Sequence, residues 1–205
     1  CDTTVNGLYG TFNKISAGDL TGTTGYQILI DGGVSLTFNS INVDTLDGGI
    51  KLTGYLHNVN INDLSTECYP QSVTPIIIDG ASIKNVRING LRIREHPDGV
   101  VPSPPMVHIK DAKSISINNF YFERNNADIS TIVKLDNVEN LEIDGVTVAN
   151  NINGTKFIEC ITACDRISLR NTENHAGTPY NIWKGTNISI KNSDFGQTFL
   201  TGSNF

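Results

Sequence analysis

Two glutamates, Glu95 and Glu123, occupy matching points in "RIREHPDG" and "FYFERNNAD". Paired carboxyl groups are the machinery of glycoside hydrolysis, one protonating the leaving oxygen while the other acts as nucleophile or base. Retention needs them about 5 to 5.5 Å apart, and inversion about 6.5 to 9.5 Å apart. Around them lie residues suited to holding a sugar: Asp98, Arg124, Asp128 and His175 for its polar groups, Tyr121 and Trp183 for its flat faces. The plain alternative is two solvated carboxylates beside Arg94 and Arg124, with Tyr180 and Trp183 covering the end of a core or packing between subunits. A β-elimination would draw on Arg92, Arg94, His96 and Arg124 instead, and is less favoured.

Two further residues depend on register. His108 in "MVHIK" lies between Val107 and Ile109, which should point inward and leave it outside, in a solvated or cross-subunit role. Strict repetition makes Glu159 equivalent to the inward Val107 and Val133. An unpaired buried carboxylate is costly, so a one-residue slip is expected to turn Glu159 out and bring Cys160 in. The cysteines Cys1, Cys68, Cys160 and Cys164 include one pair, "CITAC", and no second pair at metal-ligand spacing. Buried or half-buried free thiols are expected ahead of a Cys160–Cys164 disulfide, with neither a zinc site nor a cofactor.

The elements that must position these groups come from a repeat. "VNIND", "VRING", "ISINN", "LEIDG", "ISLRN" and "ISIKN" start 21 to 29 residues apart, and each ends on Asp, Gly or Asn. Those are the residue types that best tolerate a left-handed backbone, so one kind of corner recurs. A strand precedes the motif in "MVHIKDA", "IVKLDNV" and "IECITAC", and another follows it in "LRI", "FYF" and "VTV". Each repeat therefore reads strand, bend, strand, tight corner, strand, longer loop. A barrel would need a hairpin reversal after every strand. A right-handed parallel β-helix needs one coil per repeat, stacked about 4.8 Å apart, and fits better. The expected fold is all-β, a solenoid of about six to seven coils over 50–205, with 1–49 as an irregular cap or incomplete coils.

In-register stacks such as Ile115–Leu141–Ile167 would fill a narrow interior, so chemistry must sit on outer faces and in loops. Four long loops, at 94–105, 123–131, 150–157 and 171–181, follow successive coils at one place in the repeat and should stack as a wall. On this register Glu95 and Glu123 lie one coil apart.

Charged residues make up 18% of the chain, below the roughly 25% of an average soluble protein, and the polar share is made up by Gly, Asn, Ser and Thr. Net charge is −6 with lysines and arginines scattered singly, which argues against nucleic acid and anionic membranes as partners. No apolar run approaches the roughly 20 residues of a membrane span, so a soluble chain without membrane insertion is expected. The start "CDTTVNGLYG" carries no signal-peptide pattern.

The coils at "ISINN", "LEIDG" and "ISIKN", with their Asn-rich corners, resemble the pectate-lyase-like β-helices, and among them the trimeric tailspikes of tailed bacteriophages. The resemblance spans about 34–194. It implies a homotrimer in the virion tail that is assembled in the bacterial cytoplasm. It would act at the host surface by binding, and often cleaving, a bacterial surface polysaccharide. If the chain cleaves glycan, Glu95 and Glu123 are the pair expected to act, as in an endo-acting glycoside hydrolase. The rival reading is a non-catalytic fibre or adhesin segment serving as spacer or receptor-binding module. A secreted pectin-type lyase fits less well, since no Asp cluster on one ladder is evident for calcium.

Overall fold

Alternating stretches such as "ISIN" and "LEID" give each strand one apolar edge, which a single coil cannot cover by itself. The computed structural model describes residues 3–7, 9–17, 26–45, 49–68, 74–95, 104–123, 131–149, 155–174 and 179–199. Among them the chain is a parallel β-solenoid. About five turns, from 50 to 174, carry three faces each. The ladders run on into Ile28–Phe38 and Ile41–Thr45 on one side and Gly185–Ser193 on the other, and the turns number about five, fewer than the six to seven coils expected over 50–205. Thr3–Gly7, Gly10–Phe12 and Ile15–Ala17 continue the parallel pairing toward the N terminus.

Face A comprises 50–53, 76–79, 107–110, 133–136 and 158–160. Face B comprises 59–62, 86–89, 115–118, 141–144 and 167–170, and face C comprises 64–67, 91–94, 120–123, 146–149 and 172–174. Val59, Val86, Ile115, Leu141, Ile167 and Ile188 are successive partners in one ladder of face B. Ile61, Ile88, Ile117, Ile143 and Leu169 form the ladder beside it. All are buried, and with their counterparts on faces A and C they make one apolar interior. Cys160 and Cys164 sit in it as free thiols.

The corner between faces B and C falls at Asp63, Gly90, Asn119, Gly145, Asn171 and Asn192, all at φ between 50° and 78°. This is the left-handed conformation that their residue types imply. A second left-handed ladder marks the bend between faces A and B, at Asn58, Asn85, Ser114, Asn140, Arg166 and Asn187. These reversals, joined by a third at Asp111 and Asn137 in two of the turns, bend the coil sharply enough to close it around so thin a core.

The slip near Glu159 is present. Val133 pairs with Ile158, Lys134 with Glu159 and Leu135 with Cys160. Glu159 faces outward, accepting hydrogen bonds from Thr131 Oγ1 at 2.9 Å and Lys156 Nζ at 2.6 Å. Solvation and pairing of the carboxylate thus decide the register, while Cys160 enters the core.

Candidate functional site

Face C turns two columns of side chains outward. One runs Ser65–Arg92–Tyr121–Thr147–Glu173 and the other Glu67–Arg94–Glu123–Ala149. In the first, Tyr121 alternates with the buried Phe120 and Phe122 and is itself half-buried. The Arg92 guanidinium lies 5.2 Å from the centroid of its ring, within range of a cation–π contact. Two shallow depressions flank the ring. One, of about 340 Å³, takes in Asp63, Ser65 and Arg92; the other, of about 290 Å³, takes in Thr147, Asn171 and Glu173. Gly90 and Gly145 stand one level to either side of Asn119 in the corner ladder and put no side chain beside the ring. Tyr121 is the wall shared by both depressions.

The second column bears on the glutamate pair. Glu123 pairs with Arg94, and Glu95 pairs with Cys68. The two glutamates are one coil apart but displaced by a residue along the strand, so the expected lateral alignment does not hold. Arg94 lies between two carboxylates, with Nη1 3.8 Å from Glu67 Oε2 and Nε 3.6 Å from Glu123 Oε2. Glu67 and Glu123 stand two coils apart, about 9.6 Å by strand spacing, with a guanidinium in the gap. This is ion-pair geometry on a solvated face.

Asp98, Arg124, Asp128, His175 and His96, with the Glu95 and Tyr180 side chains, lie outside the described residues, as does most of the loop wall. Trp183 does not offer a face to a sugar: it is fully buried, and its Nε1 donates to Gln197 Oε1 at 2.7 Å. The reason is register. Glu159 pairs with Ile182, so in "YNIW" the residues turned inward are Asn181 and Trp183. Asn181 is fully buried and accepts a hydrogen bond from Ile158 N at 3.0 Å. Phe157 is also fully buried, packed at tilted angles between Phe120 and Phe195. His108 lies on the outward side of face A, opposite Ile77 and Lys134. Burial, then Lys134, push its pKa below the ordinary value.

Sequence reasoning did not single out the outer side of face B. There Asn39, Asn62, Asn89 and Asn118 form an amide ladder, each donating to the level before at 2.9 to 3.3 Å. Beside the bend between faces A and B runs a trough of about 540 Å³ lined by Asn60, Arg87, Ser116 and Glu142. Its signal was the polar second position of "VNIN", "VRIN", "ISIN" and "LEID". Comparison with known proteins finds no matching family model, no matching curated protein and no matching solved structure.

Proposed function

We propose that this chain is a tailspike- or fibre-like β-solenoid of a tailed phage that binds a bacterial surface polysaccharide along face C. The observation that carries the reading is Tyr121, an accessible ring held by Arg92 between two depressions on a rigid face. Its neighbours Ser65, Thr147 and Glu173 add hydroxyl and carboxylate groups at a repeat of about 4.8 Å, a spacing suited to a linear polymer. Binding is favoured over cleavage because Glu123 faces a guanidinium and not a second carboxyl group.

A rigid spacer or adhesin segment is the second reading. It is favoured by the outward amide ladder of face B, whose hydrogen bonds serve the stack alone.

The homotrimer belongs to the same proposal, with parallel axes. Its support is the exposed Tyr55, with half-buried outward Leu29, Ile77 and Ile182 on face A. Light scattering at micromolar concentration should give three times the chain mass; a monomer mass would count against it. The function is tested by incubating the protein with capsule or lipopolysaccharide from a panel of bacterial strains. Cosedimentation reads binding, and new reducing ends read cleavage. Retention on no surface glycan would leave the spacer reading.

A further inference from the structure

The trough on face B lies apart from the groove around Tyr121, and its chemistry points to a ligand of its own. Its floor is one ladder, Asn60–Arg87–Ser116–Glu142, so it extends over four levels, about 14 Å by strand spacing. One rim is the left-handed bend, where Asn85 Nδ2 donates to Asn58 Oδ1 at 3.2 Å and Asn140 Nδ2 to Ser114 Oγ at 3.3 Å. Those bonds run along the stack and leave amide and hydroxyl groups facing the trough.

The charges are uneven. Arg94, Arg166 and Arg170 each face a carboxylate, and Arg92 faces the Tyr121 ring. Arg87 alone among the described arginines has no hydrogen bond, ion pair or ring contact, and it lies in the middle of the trough. Glu142, two levels away in the same ladder, is paired with Arg170 at 3.0 Å. One unpaired cation near one carboxylate suits a chain carrying isolated negative charges. It does not suit a contiguous polyanion such as nucleic acid, which the net charge of −6 would also repel. A row of amides and hydroxyls at strand spacing suits a ligand rich in hydroxyls.

We infer that the face B trough is a second binding site, for an acidic oligosaccharide whose carboxylate is taken by the Arg87 guanidinium while its hydroxyls meet Asn60, Ser116 and the bend asparagines. The inference does not rest on the reading of face C.

The test is an array of uronate- and sialate-bearing oligosaccharides printed beside their carboxyl-reduced forms and probed with the whole chain. At least one acidic member should be retained and its reduced form lost. Arg87→Gln should weaken that binding about tenfold or more, the worth of a charge-assisted hydrogen bond. Its melting temperature should stay close to that of the parent, because the exposed Arg87 side chain makes no hydrogen bond, ion pair or ring contact within the fold. Tyr121→Ala should leave this binding in place. The inference is overturned if no acidic member binds, if reduced and acidic forms bind equally, or if Arg87→Gln changes nothing. Loss of the binding in Tyr121→Ala would put the ligand on face C and overturn it too. Competition by acetate at the same molar concentration would reduce the trough to a simple anion site, with the same consequence. Neutral glycans held through Tyr121 alone would sink this inference and leave the face C proposal standing.

Discussion

Glu123 stands over Arg94 in the face C ladder, its Oε2 3.6 Å from the guanidinium Nε. The pair is partly solvated, with side chains 26% and 52% exposed, and its 3.6 Å separation is loose, so its effect on stability is small. Glu123→Gln should lower stability by less than about 1 kcal/mol and leave glycan retention unchanged. If the wild-type protein releases reducing ends and Glu123→Gln slows that release by about 10² to 10⁴, proton transfer by Glu123 is real and face C is catalytic. The same comparison with Glu95→Gln decides whether the two act as a pair.

Tyr121 is the centre of the proposed glycan face. Truncation to Ala removes the ring against which Arg92 rests and merges the two depressions. Losing a central aromatic from an interface commonly costs about 1 kcal/mol or more, roughly fivefold or greater in affinity. Tyr121→Phe keeps the ring and should retain most of the binding. Isothermal titration with a retained glycan would check both; equal affinities for Tyr121→Ala and the parent would move the site elsewhere.

Stability should fall on acidification in two stages. His108 is held below its ordinary value of 6.5 by burial and then by Lys134, opposed by Asp136 and Asp79, with Lys110 adding to the lowering. The unfolded chain therefore takes up this proton first, and stability drops as pH falls from about 6.5 toward the folded-state value. Glu139 is held below 4.5 by hydrogen bonds from Lys113 and Arg166, and Asp165 below 3.8 by those from Thr186 and Asn187. Their contributions are present above the unfolded values and disappear as pH falls through the folded ones. Thermal melts from pH 8 to pH 3 should show both stages, and His108→Gln should remove only the first.

The repeat and its corners were legible because a solenoid writes each level with the same residue types. The strands from Ile115, Leu141 and Ile167 stack as the spacing implies, and Glu159 turns outward because burying its carboxylate is costly. The bend between faces A and B was harder to see, since its left-handed ladder mixes Asn with Ser114 and Arg166, which carry little conformational signal. "YNIW" fits either phase of alternation, and only the irregular pairing between Lys156 and Glu159 fixes Trp183 inside. A one-residue displacement, as between Glu95 and Glu123, lies below what repeat spacing can resolve when loop lengths vary. The candidate groove was legible at one residue, Tyr121, because its strand alternates cleanly. Its partner Arg92 depended on the ladder between coils.

The corner between faces B and C gives the sharpest test of the fold. Asn119 sits there at φ 55°, with Gly90 and Gly145 on the levels to either side. A left-handed backbone brings the Cβ toward the following carbonyl, a contact that Asn tolerates, Gly lacks and a β-branched residue worsens. Asn119→Val should cost about 1 kcal/mol or more, which for a chain of this size lowers the melting temperature by roughly 2 to 4 °C. Asn119→Gly should stay within about half that, since the relief of strain offsets the greater freedom of the unfolded chain. Asn119 is exposed, so neither change disturbs the apolar interior, and the difference between them reads the backbone alone. Equal melting temperatures for the two variants would mean that the corner is not left-handed, and the closure of every coil would need another explanation.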